Sequence, residues 1–207
     1  MRGGQLGLVY AHIFLGLLIT FISVEFIKIP SPGHTVGDVL VIIAEVILLF
    51  ALLFYMLSAP PGPLKYIAFG LFAVILGQTM IYSVKRLEEK GTIREVVASV
   101  AGIFLAMSIV GFVDNNNFLG FSGYFFAALI GLIIARITVA LLGLGGVNTE
   151  FWNQFLSWAG TILFSLFVAM DTQALKKRIR GTPDYINLSL SLFLDIINLF
   201  QNIEDIS

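Results

Sequence analysis

Long apolar runs separated by short polar or Pro/Gly breaks recur along the whole chain. Seven of them reach the roughly 20 mostly apolar residues that a helix needs to cross a bilayer; they cover 5–27, 36–58, 63–84, 93–113, 118–144, 151–175 and 184–203. The breaks have the chemistry of turns. Pro30-Ser31-Pro32-Gly33 and Pro60-Pro61-Gly62-Pro63 close the first two, a charged run from Lys85 to Gly91 closes the third, and Asp114-Asn115-Asn116-Asn117, Gly143 to Asn148 and Lys176 to Asp184 supply the rest. The pattern predicts an all-α integral membrane protein with seven transmembrane helices, a single domain over 1–207, with no room for a soluble domain and no clear internal repeat. One early arginine is followed by more than twenty apolar residues without a small-residue cleavage site, which predicts a retained first span.

Orientation follows from where Lys and Arg gather. The N-terminus and the second, fourth and sixth loops carry six bases, Arg2, Lys65, Lys176, Lys177, Arg178 and Arg180; the opposite side carries five, Lys28, Lys85, Arg86, Lys90 and Arg94. The densest uncompensated cluster, around Lys176 to Arg180, favours a cytoplasmic N-terminus, because the third-loop bases are interleaved with Glu88, Glu89 and Glu95. An odd number of spans then puts the acidic tail, Glu204 and Asp205, on the outer or lumenal side.

Polar residues inside the runs are the next signal. Asp171 lies in TILFSLFVAMDTQALKK and Asp195 in YINLSLSLFLDIINLF. A charged carboxylate in hydrocarbon costs roughly 2.5 to 3.5 kcal/mol on the lenient insertion scale, so each is a candidate functional group with a partner to be named. The midpoint of the two positions is Pro183. An antiparallel hairpin turning there puts both side chains at similar depth, about 18 Å along each helix at ~1.5 Å per residue. Carboxyls held together in a poorly hydrated site share a proton and titrate as a coupled pair. On the last run, Asn187, Ser191, Asp195, Asn198 and Asn202 fall at steps of four, four, three and four, on one helical face. Such a stripe faces a bundle interior or a wetted path, because lipid offers it no hydrogen-bond partner. Asn and Ser also glue helices together, and Asp195 tilts the balance towards a pore lining. Ser157, Thr161 and Asp171 share a rough face with Phe164 and Val168, a weaker pattern for which ordinary packing is the simpler account.

Glu45 in the second run and Arg136 in the fifth approach the same membrane face at similar depths, so an intramembrane Glu45–Arg136 ion pair is geometrically allowed. Its rival is separate contact with backbone or water. His12 is expected to be packed or hydrogen-bonded rather than a ligand.

Composition narrows the class. The chain is 58% hydrophobic and only 12% charged, against roughly 25% charged residues in a soluble domain. A formal net charge of -1 gives the whole chain no electrostatic footprint for nucleic acid. Cysteine is absent, which removes disulfides, thiolate metal sites and a cysteine nucleophile. The two histidines, His12 and His34, are too far apart in sequence for a zinc motif.

Asp171-Thr172-Gln173, then Asp184-Tyr185-Ile186 and the stretch from Leu190 to Phe200, resemble the C-terminal signature of the Bax inhibitor-1 family, also called the transmembrane Bax-inhibitor-motif family. The match is specific over 160–200; elsewhere it rests on the span pattern, an acid in the second span and Gly77-Gln78-Thr79 in the third. The resemblance implies seven helices with a central C-terminal helix and a calcium leak governed by a paired-aspartate pH sensor, Asp171 and Asp195 aligning with that pair. The family's bacterial members end the second span in a basic cluster whose arginine helps lock the pore. Here the stretch from Tyr55 to Pro60 holds no base before Lys65. Met170 stands where many relatives have tyrosine.

The leading expectation is therefore a pH-sensitive calcium or cation leak. Asp171 and Asp195 contact calcium transiently, and Asn187, Ser191, Asn198 and Asn202 line the path. No cofactor is expected, Ca²⁺ being the permeant ion; lipid, Ca²⁺ and protons are the partners, and oligomerisation is not indicated. Two alternatives stay open, a proton-coupled cation exchanger and a non-conducting regulator of ion homeostasis and cell survival. An enzyme is not expected, since the Tyr-Asp and Gly-x-Gly-Asp motifs of intramembrane aspartyl proteases surround neither acid. A seven-helix photoreceptor would need a Schiff-base lysine in 184–203, which has none. The expected location is a multi-pass site in the plasma (inner) membrane of a bacterium, or an endomembrane of a eukaryotic or viral host.

Overall fold

The computed structural model describes residues 3–26, 36–113, 118–179 and 184–207. Seven α-helices follow one another: α1 Gly3–Phe26, α2 Val36–Ser58, α3 Pro63–Lys90, α4 Ile93–Val113, α5 Ser122–Leu144, α6 Glu150–Arg178 and α7 Tyr185–Ile206, with a 3₁₀ turn at Phe118–Phe121 before α5. There is no strand among the described residues. Six helices are long and apolar enough to cross a membrane, and α2 enters that comparison only through its Ile43–Ser58 portion. The count among the described residues is thus one fewer than the seven spans expected. The expected turns at 30–33, 114–117 and 181–183, with Pro183, His34, Arg2, Lys28 and Arg180, lie outside the described residues.

The helix ends show why the apolar windows were close yet short. Apolarity marks only the stretch suited to lipid, whereas good helix formers carry the backbone further. So α3 continues through the charged run to Lys90, and stops at Gly91, whose φ of +72° a side chain would strain. The Gly91 and Thr92 amides donate to the Glu88 and Leu87 carbonyls, both at 3.0 Å, which is the Schellman arrangement. Gly146, at φ +81°, ends α5 the same way, with Val147 N–H on the Leu142 carbonyl at 3.1 Å. Lys176, Lys177 and Arg178 sit in the last turn of α6, where cations complement the helix dipole. Pro63 opens α3 at a position that wants no N–H donor.

Two compact units make up the chain, 1–85 with 182–193 and 86–181 with 194–207. In the first, α1 and α3 are stitched by polar groups. Thr20 Oγ1 donates to the Ala73 carbonyl (3.2 Å), Ser23 Oγ to the Val74 carbonyl (2.7 Å), and Gln78 Nε2 to the Ser23 carbonyl and hydroxyl (2.8 and 2.6 Å). A Cβ at Gly77 would come within 2.6 Å of the Thr20 carbonyl oxygen, so only glycine allows the approach. Gly77 and Gln78 of the Gly77-Gln78-Thr79 motif are therefore a helix–helix clasp, whereas Thr79 bonds the Leu76 carbonyl of its own helix. Beside it, Phe69 and Phe193 pack edge to face at 5.6 Å. His12 bonds the Leu8 carbonyl at 2.6 Å and stacks on Tyr185, matching the packed role expected for it.

Lys65 departs from the loop position assigned to it. Only 1% of its side chain is exposed, and Nζ pairs with the Asp184 carboxylate and donates to the Ala59 carbonyl at 2.9 Å. Asp184 in turn caps α7, its Oδ1 accepting from Asn187 N–H at 3.2 Å.

In the second unit α6 packs against both α4 and α5. Gly111 lets α4 meet α6, since a Cβ there would strike the Ala169 carbonyl and Thr172. Phe125 and Phe167 pack edge to face across α5 and α6 at 6.1 Å. Lys176 Nζ reaches the Phe112 carbonyl at 2.7 Å, satisfying the last turn of α4. Gln173, from the signature stretch, accepts the Leu119 N–H at 3.1 Å and so pins the 3₁₀ turn.

Candidate functional site

Asp171 on α6 and Asp195 on α7 both belong to the second unit. Asp195 is buried, 5% exposed, and Asp171 is half-buried. The Asp171 charge lies close enough to act electrostatically on the Asp195 carboxyl. Burial of Asp195 follows from its neighbours on α7, where Phe193, Ile196, Ile197 and Leu199 are all in the core. Among the described residues Asp195 Oδ2 has no hydrogen-bond partner. A buried acceptor left unpaired is costly.

Beyond Asp195 the stripe runs on through Asn198 and Asn202. Each carboxamide donates back to its own helix, Asn198 Nδ2 to the Leu194 carbonyl (2.8 Å) and Asn202 Nδ2 to the Asn198 carbonyl (2.7 Å). Those bonds aim the Oδ1 acceptors away from the helix. Asn187 and Ser191 occupy the portion of α7 in the first unit, and both are half-buried.

Sequence reasoning missed the cluster at the C-terminal end of α7. The Arg136 guanidinium donates to Asn202 Oδ1 at 2.7 Å and Ser157 Oγ at 3.1 Å, and reaches Asp205 Oδ2 at 3.3 Å. Ser157 Oγ donates to the same Asp205 oxygen at 3.0 Å. Arg86 pairs with Glu204 at 2.5 Å. These are the partners that Arg136 has within its own unit; Glu45, a half-buried residue, belongs to the other unit. Glu204 is buried rather than part of a solvated tail. The missed signal was spacing, because Asp205 follows Asn202 by three residues and so prolongs the stripe. Of the weaker α6 face, Ser157 joins this cluster, whereas Thr161 bonds the Ser157 carbonyl of its own helix.

No group of three or more His, Asp or Glu side chains among the described residues is placed to hold a metal ion.

Helices of this length and apolarity, in this number, define a multi-pass integral membrane protein. Residues 5–206 match the family described as inhibitor of apoptosis-promoting Bax1, and the chain belongs to this Bax inhibitor-1 family. It is similar to the inner membrane protein YbhL of Escherichia coli K12, 30% identical over 214 residues that cover 93% of this chain and 86% of YbhL. An uncharacterized membrane protein of Streptococcus pyogenes serotype M3 is 29% identical over 138 residues, 64% of this chain. A Helicobacter pylori J99 protein is 27% identical over 164 residues, 78% of this chain and 67% of its own length. The chain spans 58% of the serotype M3 protein and 48% of a serotype M6 relative.

Proposed function

We propose that this protein is a pH-sensitive leak for calcium and related cations, in which the Asp171–Asp195 pair is both proton sensor and ion-contact point. In this reading all seven helices span the membrane, α2 included, α7 is the central helix, and the protein does no covalent chemistry. The observation that carries the reading is a buried carboxyl within an apolar helix, Asp195, whose Oδ2 has no hydrogen-bond partner among the described residues, with a second carboxyl, Asp171, on α6 of the same unit. Loss of a proton leaves negative charge where a cation passes; gain of one removes it. Asn198 and Asn202, continued by Ser191 and Asn187 along the same helix, supply neutral oxygens that exchange with hydration water. Few fixed ligands favour passage over storage.

Purified protein in proteoliposomes tests this. A leak dissipates a calcium gradient unaided, an exchanger does so only against a counter-gradient of protons or another cation, and a non-conducting regulator does neither. Calcium flux through wild-type protein without any counter-gradient, reduced in Asp195→Asn, supports the leak; absence of such flux rejects it.

A further inference from the structure

We propose that Arg136 is the cation barrier of this conduit, a tethered positive charge seated on the α7 stripe between Asp195 and the C-terminal end of the helix. The proposal rests on the leak reading and adds the element that limits it.

Asp195, Asn198, Asn202 and Asp205 follow one another at steps of three, four and three, which keeps them on one face of α7. At ~1.5 Å per residue, Asn202 lies about 10 Å beyond Asp195, and Asp205 about 5 Å further. At Asn202 the stripe meets the Arg136 guanidinium, reaching in from α5. Three oxygens of different chemistry converge on it: the Asn202 carboxamide, the Ser157 hydroxyl and the Asp205 carboxylate. These are the oxygen types that replace water around a hard cation. A guanidinium already holds them.

The seat is built rather than incidental. Ser157 is fully buried, and Asn202 is 4% exposed. Gly160, one turn from Ser157 on α6, is what admits the Asn202 carboxamide, since a Cβ there would occupy the same space as its oxygen. Asp205, about one turn beyond Asn202 on α7, lines an open polar groove of about 560 Å³ together with Lys90, Asn148, Glu150, Asn153 and Gln154. The order along the helix is thus acid, carboxamide, guanidinium seat, then polar groove. In this reading a cation moving from Asp195 along the stripe meets the Arg136 charge at Asn202. Fixed positive charge opposes a divalent ion twice as strongly as a monovalent one, so the barrier falls hardest on calcium.

Proteoliposomes loaded with calcium in one series and sodium in another separate the outcomes. Arg136→Gln is expected to raise the calcium leak by about tenfold or more, and the sodium leak by less, so that the calcium-to-sodium flux ratio rises. Arg136→Lys, which keeps the charge, is expected to hold both fluxes near wild type. The Arg136→Gln, Asp205→Asn double variant keeps the cluster's charge balance, so its folding does not depend on an orphaned carboxylate, and it is expected to raise the calcium leak by less than Arg136→Gln, which leaves the Asp205 carboxylate uncompensated on the path. An equal rise for both ions marks mere loosening of the helices and overturns the barrier. Wild-type leak unchanged in both Arg136→Gln variants overturns the barrier while leaving the leak standing. No calcium flux in wild type or in any variant overturns the leak reading and the barrier together.

Discussion

Lys65 and Asp184 permit a prediction whose asymmetry is specific to their geometry. The Lys65 ammonium is almost fully shielded and has two partners, Asp184 and the Ala59 carbonyl, whereas the Asp184 side chain keeps 23% of its surface exposed and also accepts Asn187 N–H. Asp184→Asn preserves the cap, because asparagine caps a helix as well as aspartate does. What it removes is the counter-charge, leaving a buried ammonium with one carbonyl. Breaking a buried pair in this sense costs about 3–5 kcal/mol. Lys65→Met instead removes the shielded charge and keeps most of the apolar stem's volume, and the partly hydrated carboxylate that remains still caps α7. That change should cost about 1–2 kcal/mol. Combining the two removes both charges, so the double mutant should be no less stable than Lys65→Met. Denaturant unfolding of all four proteins in detergent micelles gives the coupling directly. Equal costs for the two single mutants, or additivity in the double, would refute the argument that Lys65 is the more desolvated partner.

Gly160→Leu should lower stability by about 1–3 kcal/mol through overpacking against Asn202, and the same unfolding assay measures it; a neutral result would mean the carboxamide is not held there. Gln78→Leu removes two hydrogen bonds from the α1–α3 clasp, with an expected loss of about 1–2 kcal/mol, read as a lowered unfolding midpoint. At Gly91, whose φ is +72°, substitution by alanine should cost about 1–2 kcal/mol, whereas alanine at Gly102, which has open space around its Cβ position, should stabilise α4 by about 0.5–1 kcal/mol through helix propensity.

The helices were legible because lipid demands long apolar runs; α4 spans the residues its window marked, and α2 does as well. Windows failed where helix outlasts hydrocarbon, as in α3 and α6, since charged residues with good helix propensity carry no apolar signal. Asp171, Asp195, Asn198 and Asn202 stood out because a polar group inside an apolar run is costly and therefore informative. Lys65, Asp184, Glu204 and Asp205 lie at the ends of runs, where charge is cheap and sequence cannot distinguish a solvated side chain from a paired one. Arg136 stands out in the sequence through its charge inside the fifth run. Its partners depended on which helix ends meet, and spacing along a single helix does not encode that.

The central claim is that Asp171 and Asp195 together make the ion path respond to protons. Calcium efflux from proteoliposomes across pH 5–9, for wild type beside the Asp171→Asn, Asp195→Asn double variant, addresses it most directly. Proton uptake by the pair removes negative charge from the path, so wild-type flux should fall as the lumen and bath are acidified together, and the variant, with no charge to titrate there, should give a flat and lower profile. A double variant whose flux follows pH as steeply as wild type would contradict the claim and move the proton sensor elsewhere in the molecule.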